Sequence, residues 1–172
     1  MEIARRRSPE AEFRVGSLFG VGIPPCAAVT AISEVLNYLF DVENEERGPD
    51  RLFRRVYDAL DPGGLFVFDA LGRGQVPPGD RRRGFRVGED WAVLSELEED
   101  AGRGTMERRI VSFRKVGEHY RRDEEVHRVR LYDPPELSAE LERTGFRVRT
   151  MRSYGDLPLE EGHTAFVARK PV

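Results

Sequence analysis

The sequence predicts an α/β fold in which a partly parallel sheet carries an antiparallel β insert, and three observations predict it. Two apolar runs, Cys26 to Ile32 and Leu65 to Asp69, flank a helical stretch at the spacing of a parallel strand-helix-strand crossover. Three long strand-like runs between Gly88 and Tyr132 are joined by tight turns, the pattern of an antiparallel meander. A capped helix and two further strands then close the chain.

The elements follow in order. Ile3 and Ala4 beside Arg5, Arg6 and Arg7 suit the last turns of a helix, with cations at the negative pole of its dipole. Pro9 ends it, and Glu12 to Val15 reads as a short strand running into Gly16, Ser17 and Leu18. Gly20, Gly22, Pro24 and Pro25 are loop chemistry. Cys26 to Ile32 is free of charge, as expected of a central strand covered on both faces. Glu34 to Phe40 supplies Val35, Leu36, Leu39 and Phe40 for a helical turn or two, leading into an acidic loop at Asp41 to Arg47.

Pro49 suits a helix start, and Leu52, Phe53, Val56 and Leu60 line one face of the helix it opens. The turn Asp61-Pro62-Gly63-Gly64 delivers the next strand, and Leu71 to Gly88 is rich in Gly, Pro and Arg, which reads as a loop. Trp91 to Glu98, Thr105 to Val116 and His119 to Tyr132 are the strands of the insert. Asp133 is an N-cap, Pro134 and Pro135 occupy the first helical positions, Leu137 and Leu141 face inward and Gly145 ends the helix. Phe146 to Met151 and Thr164 to Arg169 are the last strands.

At 172 residues the chain fits one domain, able to bury about two-thirds of the surface its unfolded form exposes. Its expected parts are an α/β portion over 1–70, the insert over 85–132 and the closing helix and strand pair over 133–172. With 28 basic and 31 acidic residues the net charge is −3, which gives no overall electrostatic case for nucleic acid or an acidic membrane. No apolar run approaches the length of about 20 residues that spans a bilayer. The single cysteine, Cys26, excludes an intrachain disulfide and points to a reducing compartment, the cytoplasm.

Four segments in fixed order carry a family resemblance: Phe13-Arg14-Val15-Gly16-Ser17-Leu18, then Ala28 to Tyr38, then Ala59-Leu60-Asp61-Pro62-Gly63-Gly64 into Leu65 to Asp69, and the ending Gly145-Phe146 with Gly162 to Lys170. Together they resemble the distal part of a class I S-adenosylmethionine-dependent methyltransferase of the small-molecule type. The resemblance implies a Rossmann-like methyltransferase sheet that binds the cofactor at the carboxyl ends of its first strands. It implies that Gly16, Ser17 and Leu18 sit beside the adenine, that Ala31, Ser33 and Glu34 line the methionine end, and that Leu36, Asn37 and Tyr38 lie near the transferred methyl. Many relatives carry an acid where Ser17 stands, and serine is a neutral, shorter acceptor.

The family's glycine-rich loop and the acid that binds the ribose have no counterpart here, since Gly16, Gly20 and Gly22 precede Pro24 and Pro25 rather than a helix start. The fold is thus expected to be N-terminally truncated, its first two strands absent, with Met1 falling in the helix after the second. Cys26 to Ile32 then becomes an apolar edge that invites pairing. Three expectations follow: a start further upstream, a homodimer that covers the edge, or a degenerate copy without cofactor.

The implied reaction is attack of a small-molecule acceptor on a sulfonium methyl, in which the protein positions and excludes water. A base is needed only where the acceptor must lose a proton, and the candidates are Tyr154, His163, His127 and Glu124. His119, His127 and His163 lack ligand spacing, so no metal is expected. Cys26 reads as a core residue, and Ser33, Glu34 and Asn37 serve equally well as helix caps. Arg81, Arg82, Arg83 and Arg86 with Phe85 read as a flexible charged lid rather than a nucleic-acid patch. The rival function is a non-catalytic ligand-binding or dimerisation module. Half of a nucleotide-dependent oxidoreductase is disfavoured, since that fold also needs the glycine loop.

Overall fold

The computed structural model describes residues 2–39 and 48–172. Helix α1 (Glu2–Arg7) buries none of its side chains. Strand β1 (Cys26–Ala31) leads to a 3₁₀ turn at Val35–Asn37, and helix α2 (Asp50–Ala59) leads straight into β2 (Leu60–Leu71). Four strands form the insert: β3 (Arg82–Val87), β4 (Trp91–Asp100), β5 (Thr105–Val116) and β6 (His119–Arg130). Helix α3 (Pro134–Thr144), β7 (Arg147–Met151), a small ladder of β8 (Ser153–Tyr154) with β9 (Leu157–Pro158), and β10 (His163–Arg169) complete the chain.

The main sheet has the order β1-β2-β10-β7, with β1 and β2 parallel and both later pairs antiparallel. Its core is aromatic: Phe68 and Phe166 are directly opposed across β2 and β10, with ring centroids 4.7 Å apart. Phe53 and Val56 of α2, with Leu137 and Leu141 of α3, complete that cluster. A second cluster of Leu71, Val76, Leu97, Met106, Val129 and Leu131 seals the sheet to the insert.

Three expectations are corrected. Glu12 to Val15 forms no strand: no described residue pairs with it and Val15 is exposed, so it lacks the ladder that a strand needs. Cys26 to Ile32 is not the central strand that its lack of charge suggested but the edge of the sheet that the absent strands imply, with Ala27, Ala28 and Thr30 exposed. The stretch from Leu71 to Gly88 is not all loop, because Arg82–Val87 pairs antiparallel with Ala92 to Leu97 and is strand β3. The Arg-rich segment is therefore a fixed edge strand rather than a flexible lid.

The turn at 61–64 is a bulge, where the register slips from Cys26–Leu60 to Ala28–Leu65. Gly64 is needed there, since a Cβ would lie 2.9 Å from the Ala27 carbonyl oxygen. Phe40 and the acidic loop at 41–47 lie outside the described residues, as does Met1. Among the described residues no helix is long and apolar enough to cross a membrane, and no group of three or more His, Cys, Asp or Glu is placed to hold a metal.

Candidate functional site

At the carboxyl ends of β1 and β2 the chain leaves the sheet under the inner face of the insert, and a cleft of about 730 Å³ opens between them. Crevices at this edge of parallel strands are the usual ligand sites of α/β sheets. Ser33, Glu34, Asp69 and His163 line it from below, Arg82, Arg86 and Arg108 from the insert.

Past β1, Ser33 and Glu34 adopt left-handed backbone angles in succession, φ 71° and 51°. Non-glycine residues lose roughly 1–2 kcal/mol each in that region. The Asp69 carboxylate offsets the strain by accepting from both backbone amides, Ser33 N at 3.1 Å and Glu34 N at 2.5 Å. Asp69 is itself buried at the end of β2, and its Oδ2 also accepts from the Tyr154 hydroxyl at 3.2 Å.

This turn swings the Glu34 carboxylate, only 7% exposed, into a set of donors. Arg108 Nη1 reaches it at 2.8 Å, His163 Nε2 at 3.0 Å and the Tyr38 hydroxyl at 3.4 Å. Burial alone would raise the Glu34 pKa. The hydrogen bonds from His163 and Arg108, with their charges, outweigh burial and hold it down at about 2. The same hydrogen bond raises His163 against the effect of its own burial. Burial, then the charge of Asp69, pushes the Tyr154 phenol far up, so Tyr154 stands as a neutral donor. Two carboxylates here face two cations across a polar recess.

The structure brings some expected site residues together and separates others. Ser33, Glu34 and His163 line the cleft, and Tyr154 joins through Asp69. His127 instead pairs with Glu125 at 3.0 Å and meets Tyr38 edge-on. Glu124 lies on the opposite face of the insert from Arg108, where it binds Arg109 and Arg122. Asp69 and Arg108 were not among the sequence candidates.

Of the residues expected around the cofactor, Leu36 and Asn37 are fully buried. Asn37 Nδ2 donates to the Leu71 and Arg130 carbonyls at 2.9 and 2.6 Å, and its Oδ1 accepts from Leu71 N at 3.1 Å. It clamps the sheet to the insert. Ala31 belongs to the core, Leu18 packs against it, and Tyr38 bridges to Val129. The Ser17 hydroxyl accepts from Phe19 N at 3.1 Å within its own turn, near Gly16. Gly16, Ser17 and Leu18 are not among the residues lining the cleft. Of the residues expected around the cofactor, Ser33 and Glu34 thus line the cleft, and the described residues form no cradle for adenosine there.

No protein-family model and no curated protein matches the sequence. Solved structures do match the fold. An S-adenosylmethionine-dependent methyltransferase from Clostridium acetobutylicum superposes with a TM-score of 0.78 at 18% identity, over 99% of this chain and 70% of that one. DesVI from Streptomyces venezuelae gives 0.75 at 19% identity, over 98% and 69%. CalS10 from Micromonospora echinaspora, an amino pentose methyltransferase solved with S-adenosylmethionine bound, gives 0.71 at 17%, over 98% and 69%. The chain spans about two-thirds of the length of these neighbours. At such identities the likeness is one of fold, and the fold is that of the class I methyltransferases.

Proposed function

We propose, from this methyltransferase fold, that the chain serves the transfer of a methyl group from S-adenosylmethionine to a small molecule, with the 730 Å³ cleft receiving the acceptor. The observation that carries the reading is the set Glu34, His163, Arg108, Asp69 and Tyr154, gathered at the carboxyl ends of β1 and β2. The bound cofactor would supply an electrophilic methyl on a sulfonium. The chain's residues orient the acceptor and exclude water. Glu34 and Asp69 suit an acceptor rich in hydroxyl or amino donors, and the names of structural neighbours, an amino pentose methyltransferase and a sugar N-methyltransferase, favour a sugar amine. Such an amine attacks only when neutral. The neutral imidazole of His163, the form present above its raised pKa, takes up the amine proton, while Tyr154 holds the Asp69 carboxylate in place. Cytoplasm, a reducing compartment, suits the single Cys26.

The open edge of β1 favours a second reading, a non-catalytic module that binds a ligand or pairs with a second copy along that edge. Calorimetric titration of the purified chain with S-adenosylmethionine and S-adenosylhomocysteine separates the two. Saturable binding that weakens in Glu34→Gln supports methyl transfer, and no heat with either compound favours the module.

A further inference from the structure

Of the three donors on the Glu34 carboxylate, two belong to the main body of the fold and one does not. His163 opens β10, and Tyr38 follows the 3₁₀ turn that Glu34 itself precedes. Arg108 reaches Glu34 Oε1 from β5 of the insert, where Leu97 of β4 and His127 of β6 flank it in register. Its side chain is 21% exposed, against 10% for Glu34 and 16% for His163, and it lines the open cleft. A long side chain with that freedom can leave the carboxylate without disturbing the strands. It also has somewhere to go, because Glu160 lines the same cleft and its side chain is largely in solvent. Burial disfavours the Arg108 cation, Glu34 outweighs that, and the charge of Glu160 adds to it.

We propose that Arg108 is a stand-in: a ligand entering the cleft as an ammonium takes its place on Glu34 Oε1 and sends Arg108 out toward Glu160. The exchange follows from charge. A carboxylate that is only 7% exposed is costly to leave short of a cation, so a ligand that removes Arg108 must bring a positive charge of its own. A primary ammonium does so, and its N–H groups restore the charged hydrogen bond that the guanidinium gives up. A neutral hydroxyl compound restores a hydrogen bond without the charge, so Arg108 holds the carboxylate against it. The empty site is thus closed by its own cation, and the affinity of any ammonium is reduced by the work of evicting it. The inference rests on the reading of the cleft as the acceptor's place, and adds that an amine enters it protonated.

Calorimetric titration with D-glucosamine at about pH 6, below the usual amine range, tests it, with D-glucose as the neutral counterpart and circular dichroism to verify each fold. D-Glucosamine should bind Arg108→Gln about tenfold more tightly than the wild type, and the gain should vanish when Glu34→Gln is added. Arg108→Lys keeps a cation on the wall and should stay within about threefold of the wild type. D-Glucose should gain nothing from Arg108→Gln. Equal, weaker or undetectable D-glucosamine binding by Arg108→Gln overturns the proposal, and so does a gain that D-glucose shares. A second readout keeps the native residue: the Arg108 Nε–H nuclear magnetic resonance signal, identified by its loss in Arg108→Lys, should shift as D-glucosamine is added to the wild type. A signal that stays in place overturns it too. No measurement here uses S-adenosylmethionine, so a failure leaves methyl transfer to a hydroxyl acceptor standing, and a chain indifferent to S-adenosylmethionine leaves the exchange standing.

Discussion

Glu34 accepts a hydrogen bond from His163, Oε2 to Nε2 at 3.0 Å, across 129 residues of sequence. The pair stabilises the fold only while both partners are charged. Glu34, lowered to about 2 from 4.5, contributes stability that is complete above about 4.5 and lost as pH falls through about 2. His163, raised above 6.5, contributes stability that is complete below 6.5 and lost as pH rises through its folded value. Glu34→Gln should therefore lower the melting temperature most between pH 4.5 and 6.5, by about 5–10 °C. Thermal melts across pH should show that gap narrowing on both sides, and a gap independent of pH contradicts the pairing.

Asp69 holds a strained turn as well as Tyr154. Asp69→Asn should cost about 2–3 kcal/mol in urea unfolding, since one amide loses its acceptor and the left-handed pair at Ser33 and Glu34 is released. Tyr154→Phe removes one half-buried hydroxyl and should cost less than about 1 kcal/mol. Equal losses would show that the turn is held by something else.

Asn37 makes three hydrogen bonds across the junction of sheet and insert. Asn37→Leu keeps the branching and heavy-atom count of the side chain while leaving the Leu71 amide without an acceptor, for an expected loss of about 3 kcal/mol. Hydrogen exchange should read the same event locally, as lost protection at Leu71.

Helix α3 gives a contrast of cause. Asp133→Ala deletes a cap, Oδ1 to Glu136 N at 3.0 Å, and should cost about 1 kcal/mol. Gly145→Ala should cost more, because φ is +114° and the new Cβ would meet the Tyr57 ring at 3.1 Å. Urea denaturation of both variants ranks them.

Helix α3 was legible because its signals are local: Asp133, Pro134, Pro135 and Gly145 each act on the nearest turn. The strands of the main sheet from Cys26 onward were legible from their apolar runs. Strand β3 was not, because Arg82-Arg83-Gly84 lacks an apolar face and the strand exists through its pairing with β4. Conversely, Glu12 to Val15 has strand composition and no strand partner among the described residues. In the site, Ser33, Glu34, His163 and Tyr154 stood out in sequence, but the left-handed turn that joins them did not. Asp69 carried one readable signal, a charge ending an apolar strand, which is rarely buried without a task. Arg108 carried none, since only the insert's register places it over Glu34.

Strand β3 turns Arg82 and Arg86 toward the cleft and Phe85 toward the outer face. Six residues thus serve as a party wall between two rooms. A small molecule that settles beside the arginines would therefore be felt on the outer face, as slower amide exchange along β3.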